Sequence, residues 1–293
     1  MMRHPTLFVV LILIGSWVLS NRCACSEDLS QPSSSHASRK MAVNSIPLKE
    51  LNREAQQKAL SVLEHTSIYR RLPVNQFLCD PDMHTFLVRY PEVVVGIWRV
   101  MGVTQVDANR ISDYKLNASD GMGTSSSIEL LYGTKNLHIF YGQGVYEGSL
   151  FHNKLKGSCL LVLRSEFGSN RNGDPIVADR LDVFLRVDHI GVKILVKTLH
   201  ALVGKTADIN FVESTKFIGK ISETAEINSS GLRRLADRIQ QLDPQVRDAF
   251  QNLATNVNER AIFRLQTQLE RSAPQPLEAT YQPPIKRVSA TKR

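Results

Sequence analysis

Hydrophobic and polar positions follow a helical period at both ends of the chain and a period of two in between. Between residues 47 and 69, apolar side chains recur every three or four positions, which predicts a helix. Asp80 and Pro81 are typical of a helix start, and Pro91 begins another helix after a kink. The core of this second helix, residues 93–98, is apolar on nearly all sides and is therefore expected to be deeply buried.

The period of two extends from about Gln105 to Asp188. A weak strand-like run, DANRISDYKLNAS, precedes four stronger ones, SSSIELLYG, LHIFYGQGVYEG, KGSCLLVLRSEF and PIVADRLDVFLRV. The glycine- and asparagine-rich loop 168–175 is a strong hairpin signal. The last run separates its faces best, because Leu181, Val183 and Leu185 alternate with residues that are polar except for Phe184. We therefore predict an antiparallel sheet of five or six strands.

A second helical stretch follows the predicted sheet. Its apolar stripe extends from Val192 to Ala225, with a break expected at 204–210, and two further amphipathic helices are predicted at 231–242 and 244–270. The expected class is α+β, with a curved antiparallel sheet packed by a long amphipathic helix, helices before the sheet and a C-terminal helical appendage.

The expected organisation of the chain has five parts. They are a signal peptide at 1–25, a disordered Ser-rich tether at 26–46, the α+β domain at 47–228, a helical pair at 229–271 and a disordered basic tail at 272–293. The apolar run 7–19 is shorter than the roughly 20 residues of a membrane span and follows a basic start, which favours a secretory leader. The protein is thus expected in the periplasm or at the cell surface. An uncleaved leader would anchor it in the membrane, and lipidation at Cys25 is a further alternative.

Charge and motif spacing argue against two classes of partner. The net charge is +8, but the folded part shows no clustered basic face of the kind that nucleic acids require. The tripeptide Gly204-Lys205-Thr206 resembles the end of a phosphate-binding loop. The position five residues before Gly204 is Leu199, however, where such a loop needs glycine. We predict no binding of nucleic acids, nucleotides or cofactors.

The chain offers few signals of metal binding or catalysis. Its histidines outside the leader and the tether lack the i,i+2 or i,i+4 spacing of metal ligands, so no metal site is predicted. No nucleophile motif surrounds a serine or a cysteine, so no catalytic residue is assigned. Glu129, Glu147 and Glu166 lie in predicted strands, where a pair could do acid–base work, and this keeps a hydrolase as a minor alternative.

Two cysteines, Cys79 and Cys159, would remain in the chain once the leader is removed. In an oxidising compartment they can form a lasting disulfide. They can equally stay apart as two buried thiols, because free cysteine packs as a small hydrophobic side chain. The sequence leaves both alternatives open.

The order of helices, antiparallel strands and a long helix resembles the helix-grip fold of the START-like and polyketide-cyclase-like superfamily. The resemblance covers about residues 81–228, and it implies a hydrophobic cavity between the sheet and the long helix. That superfamily has a strand before its helices, whereas no strand is predicted here before Pro81. The residues that would then line the cavity are Leu181, Val183, Leu185, Leu195, Leu199 and Leu202, with Tyr141 and Tyr146 as polar handles.

Two stretches, PEVVVGIWRVMGV and LVGKTADINFVESTKFIG, resemble a group of exported planctomycete-type proteins that have no assigned activity. The leading hypothesis is a non-catalytic binding protein for an apolar small molecule or lipid. The main alternative is a structural module that contacts another envelope protein through its C-terminal helices and basic tail. The oligomeric state does not follow from the sequence.

Overall fold

The computed structural model describes residues 31–147, 154–188 and 204–272. The expected leader, the tail from residue 273 and the first part of the long apolar stripe, residues 192–203, lie outside these ranges. The helices are α1 (His36–Asn44), α2 (Arg53–Leu63), α3 (Pro81–Arg89), α4 (Pro91–Val100), α5 (Lys205–Asp237) and α6 (Pro244–Ser272). The strands are β1 (Ile68–Arg71), β2 (Asn75–Leu78), β3 (Asp107–Ser112), β4 (Lys115–Ser119), β5 (Thr124–Gly133), β6 (Leu137–Tyr146), β7 (Leu155–Ser169) and β8 (Pro175–Val187).

The described strands form one antiparallel sheet of eight strands, in the order β1-β8-β7-β6-β5-β4-β3, with β2 also pairing with β8. The expected α+β class, with a curved antiparallel sheet and long C-terminal helices, is confirmed. The sheet is larger than the predicted five or six strands. The prediction of no strand before Pro81 was wrong, because β1 and β2 precede α3. Each has only four residues, Ile68–Arg71 and Asn75–Leu78, too few for a period of two to stand out.

Helices cover both faces of the sheet. In β8, Val177, Leu181 and Val183 belong to the larger hydrophobic core, which packs against α3 to α6, and we name this side the inner face. The next residue, Phe184, belongs to a second core, which packs against α1 and α2 on the outer face. Because successive side chains in a strand point to opposite faces, the strand register assigns alternate residues of β3 to β8 to one face, apart from irregularities at 110–112 in β3 and 130–132 in β5.

The larger core draws on all four inner-face helices. Its nearly fully buried members include Met83, Leu87, Val94, Ile97, Trp98, Phe211, Ile218, Phe250 and Val257. The burial of residues 93–98 agrees with the apolar pattern of that segment. The last two helices, α5 and α6, pack along each other, and the apolar side of α6 joins the same core.

Part of the segment expected as a disordered tether is helical. Ser35 caps α1 by accepting a hydrogen bond from the Ser38 backbone, and Ala42 is 1% exposed within the second core. The segment is held to β1 by backbone hydrogen bonds in both directions between Ser33 and Arg71. Arg71 is itself fixed by a buried ion pair with Asp182, with an Nε–Oδ1 distance of 2.8 Å. The tether prediction failed for these residues because their order depends on tertiary contacts and not on local hydrophobicity.

Candidate ligand-binding recess on the inner face

Small residues gather on the inner face at one end of β6 and β7. Gly142 and Gly144 of β6 lie opposite Cys159 and Gly157 of β7, and the register places all four on the inner face. A Cβ at Gly142 would come within 2.7 Å of the Cys159 sulfur, and one at Gly157 within 2.8 Å of a backbone oxygen. Glycine is therefore required at 157, where the close atom is backbone, whereas a side chain at 142 would displace the Cys159 sulfur. The four residues form a floor with almost no side chains, which we name the glycine floor.

Larger side chains surround the glycine floor. Leu185 lies opposite Cys159 in β8, and Ile128 lies opposite Gly142 in β5, so both stand on the inner face. Tyr146 stands on the same face of β6, two residues beyond Gly144, and is 6% exposed. We name the area of the inner face bounded by the floor and these three residues the inner-face recess. The polar Ser126 also lies in it, opposite Gly144.

Cys159 combines a desolvated thiol with some residue surface that is accessible. By surface area the residue is only partly buried, so solvent reaches it. Burial nevertheless raises the pKa of its thiol to about 11, with a smaller opposing effect from a hydrogen bond with the Gly142 backbone. We interpret this combination as a depression in the sheet surface at the glycine floor.

The first turns of α5 lie near one side of the recess. Arg70 of β1 pairs with Val183 across the strands, so it shares the inner face, and it forms an ion pair with Asp208 of α5. Desolvation raises the pKa of Asp208, while the Arg70 guanidinium opposes that shift. Ala207 and Phe211 flank Asp208 along the helix and are each 1% exposed. The ion pair thus holds the start of α5 against the sheet edge next to the recess.

The structure brings together only some of the predicted cavity residues. Val183, Leu185 and Tyr146 lie on the inner face at or beside the recess, whereas Leu181 is further along β8 within the packed core. Tyr141 lies on the outer face against the second core, so its assignment as a handle of the same cavity was wrong. Tyr141 and Tyr146 are five residues apart in β6, and an odd separation within one strand places two residues on opposite faces. Leu195, Leu199 and Leu202 lie outside the described residues.

The disulfide alternative is excluded by distance, and both cysteines are free thiols. The Cys79 backbone donates a hydrogen bond to Pro175, at the start of β8. Cys159 lies opposite Leu185, near the end of the same strand. Ten residues of strand separate these positions, roughly 33 Å, whereas a disulfide needs Cα atoms within about 7 Å.

A buried polar cluster that was not predicted from the sequence lies at the other end of the inner face. His84 Nε2 lies 2.8 Å from Asp179 Oδ2, and the two residues are 0% and 1% exposed. Ser165 lies opposite Asp179, and His138 of β6 accepts a hydrogen bond from Arg89. The signal that could have revealed the cluster is the position of Asp179, which by alternation shares the apolar side of β8 with Leu181.

This cluster contains the residue types of a serine hydrolase but not its arrangement. The Ser165 hydroxyl has no hydrogen-bond partner among the described residues, so no histidine is placed to take its proton. Ser165, His84 and Asp179 are each 0% or 1% exposed, which leaves no access for a substrate. We interpret the cluster as part of the packed core and not as a catalytic site.

Other candidate chemistry is dispersed. Glu129 and Glu147 form ion pairs with Lys58 and Lys154, and Glu166 lies further along β7, so these carboxylates do not converge. Within the described ranges, no group of three or more histidine, cysteine or acidic side chains could hold a metal ion. In the same ranges, no helix is both long and apolar enough to cross a membrane.

Comparisons with known proteins add little to this geometry. No protein-family model and no curated protein matches the chain. Among solved structures, it is similar to a conserved protein from Geobacillus kaustophilus, with 11% identity, a TM-score of 0.29 and coverage of 49% of this chain and 93% of that one. It is also similar to an uncharacterised protein from Rhizobium leguminosarum, with 12% identity, a TM-score of 0.29 and coverage of 50% of this chain and 95% of that one. A third similar structure is that of Ara h 8.0201, with 9% identity, a TM-score of 0.29 and coverage of 50% of this chain and 97% of that one. Similarity at this level assigns no function.

Proposed function

We propose that the protein is a non-catalytic binding protein for an apolar small molecule or lipid, which enters the inner-face recess. The observation that carries this proposal is Cys159, a desolvated side chain that keeps accessible surface above a floor of glycines. Leu185 and Ile128 supply apolar walls, and Tyr146 supplies a polar group at one end. Mainly apolar walls with few polar groups are typical of small-molecule sites.

The place of action is a second part of the proposal. The basic start and short apolar run at residues 1–25 favour export, so the ligand would be met in the periplasm or at the cell surface. A protein that carries or stores an apolar molecule there needs a recess and no catalytic group. The recess meets that requirement, because its walls are apolar and its cysteine is protonated at neutral pH.

Native mass spectrometry of the exported chain, starting at Ser26, tests the proposal. The expected result is a discrete adduct that solvent extraction releases as an apolar molecule. Cys159→Phe should abolish the adduct because the new ring fills the recess. It should change the free energy of unfolding by less than about 1 kcal/mol, because space is available.

Cys79→Phe is the matched control, since Cys79 is 2% exposed in the packed core. Its ring has no space to occupy, so it should cost at least about 1–3 kcal/mol through overpacking. A wild-type protein with nothing bound would contradict the proposed ligand. Equal destabilisation by the two substitutions would contradict the recess itself.

One observation favours a second candidate function, a protein-interaction module that uses α6. Four large apolar side chains near its end are exposed, namely Ile262 at 47%, Phe263 at 71%, Leu265 at 56% and Leu269 at 71%. Adjacent exposed apolar side chains often mark a protein contact. The same mass spectrum distinguishes the two functions, because a dimer or a copurifying protein, without an apolar adduct, would support this alternative.

A further inference from the structure

The outer face of the sheet carries two complete rows of mostly polar side chains at the end away from the second core. The first row, read across β3 to β8, is Asn109, Asn117, Ser127, Gln143, Ser158 and Arg186. The second row is Asp107, Ser119, Ser125, Val145, Lys156 and Asp188, where Asp188 donates a backbone hydrogen bond to Lys156. Eleven of these twelve side chains can form hydrogen bonds, and only Val145 is apolar.

Ten of these twelve residues, all except Ser158 and Arg186, line an open groove. Its volume is about 560 Å³, within the range of small-ligand sites. Helix α2 covers the neighbouring part of the outer face: Lys58 contacts Glu129, and the Ser61 carbonyl accepts a hydrogen bond from Arg186 at the end of the first row. Six strands span about 24 Å at roughly 4.8 Å per strand, and two rows span about 7 Å along the strands. The groove is therefore long and narrow, and it crosses the strands.

Charges in the groove compensate one another at its two ends. At one end, Asp107 forms an ion pair with Arg99 and accepts a hydrogen bond from Asn109 at 2.8 Å. At the other end, Arg186 lies 3.2 Å from Asp188. Strands β4 to β6 carry uncharged groups between these pairs, and Lys156 of β7 adds a single positive charge that forms no ion pair with a described residue. The groove therefore offers one basic group and no cluster of like charges.

The uncharged groups at the centre are available to a ligand. Asn117, Ser119, Ser125 and Gln143 keep accessible surface and show no side-chain hydrogen bond to another described residue. The Ser127 hydroxyl also has no partner among these residues, but its oxygen is buried, so it is not counted as a ligand contact. Each amide or hydroxyl can both donate and accept a hydrogen bond. A ligand that matches them must itself present closely spaced donors and acceptors.

We propose that this groove binds a neutral oligosaccharide in an extended conformation. Its hydroxyl groups both donate and accept hydrogen bonds, as the central residues do, and its length suits a groove of about 24 Å. A nucleic acid would require an excess of basic residues, and a lipid would require apolar walls. A peptide bound by its side chains would require apolar pockets, of which Val145 offers one apolar contact at most. The groove lies on the face opposite the inner-face recess, so this proposal does not depend on the apolar ligand.

Isothermal titration calorimetry of the folded chain with three neutral hexasaccharides, cellohexaose, maltohexaose and N-acetylchitohexaose, tests the proposal. At least one should bind, and Asn117→Ala combined with Gln143→Ala should weaken that binding at least tenfold, because two neutral hydrogen-bonding groups are lost. Both side chains are exposed, so the double variant should fold normally. The matched control is Asn256→Ala combined with Gln266→Ala on α6, which removes two exposed amides elsewhere and should leave the affinity unchanged.

Three outcomes would overturn the proposal. They are the absence of binding by all three sugars, unchanged affinity in the groove variant, and equal weakening in the α6 control. The first would show that the polar rows are an ordinary solvated sheet face. None of them would alter the result expected for an apolar adduct in the recess.

Discussion

The two ends of the inner face contain the same kind of residue, a desolvated cysteine, in opposite kinds of packing. Cys79 lies among members of the larger core such as Met83 and Leu72, and it is 2% exposed. Cys159 lies beside glycines and keeps accessible surface. Burial raises the pKa of both thiols above the ordinary value. Desolvation alone therefore does not distinguish a filled core from a recess.

What differs between the two ends is side-chain volume. Alternation assigns inner-face positions equally well at both ends, because the period of two is the same. At the Cys79 end those positions hold Phe167, Val177 and Leu181, while at the Cys159 end they hold Gly142, Gly144 and Gly157. Three glycines on two neighbouring strands leave the sheet without side-chain volume there, and this is the basis of the proposed recess. A binding site can thus arise where a regular sheet simply lacks side chains.

Breaking the buried pair of His84 and Asp179 should have the largest effect on stability. This pair lies at the Cys79 end of the inner face, which we call the packed end. His84→Leu leaves the Asp179 carboxylate buried without its partner, so we expect a loss of about 3–5 kcal/mol in the free energy of unfolding, measured by urea denaturation. His84→Leu combined with Asp179→Leu should cost much less than the single substitution, because no unpaired polar group then remains. A single substitution that costs under about 1 kcal/mol would show that the packed end tolerates an unpaired carboxylate.

A pH change should affect the packed end through His138. Burial lowers the pKa of this histidine from 6.5 to about 4, and the Arg89 charge and His84 add to the shift while Asp179 opposes it. The unfolded chain therefore binds the proton more tightly, and the stability from neutral His138 is present above pH 6.5 and is lost as the pH falls toward 4. The loss should reach about 3 kcal/mol at pH 4.

His138→Gln provides the comparison for this pH dependence, because glutamine does not titrate. Urea denaturation of both proteins between pH 7 and pH 4 should show a smaller decline for the variant. Other groups, such as the carboxylates, titrate alike in both proteins, so their contributions cancel when the two free energies of unfolding are subtracted at each pH. Parallel curves would mean that His138 is not held neutral by the core.

The sequence predicted what depends on local pattern and missed what depends on pairing. The caps at Asp80 and Pro81 and the buried run 93–98 follow from residue types and their spacing, and the structure contains both. By contrast, β1 carries Arg70 and Arg71 in four residues and becomes a strand only because β8 pairs with it and Asp208 and Asp182 neutralise its charges. The hydrophobicity of the four residues alone therefore does not predict the strand.

The candidate site was predicted in part for the same reason. Leu185 and Tyr146 could be assigned to one side from alternation and from the aromatic, glycine-rich run of β6. The recess itself depends on the register that sets Gly144 opposite Gly157 and Cys159 opposite Leu185. Cross-strand register is fixed by the turns and by the packing of both faces, so it cannot be read from one strand. The glycines were visible in the sequence, but their alignment was not.

The smallest effect we predict is a difference in reaction rate between the two thiols, and it tests the comparison most directly. With a pKa of about 11, Cys159 has about one thiolate in a thousand at pH 8, so its alkylation by iodoacetamide should be slow and should rise about tenfold at pH 9. Cys79 should not react in the folded protein at either pH, because its sulfur is inaccessible. Mass mapping of the chain from Ser26, with Cys159→Ser and Cys79→Ser as controls, assigns each modification. Equal labelling of the two cysteines would mean that the Cys159 end is no more open than the packed core, and the recess would then be ruled out as a binding site.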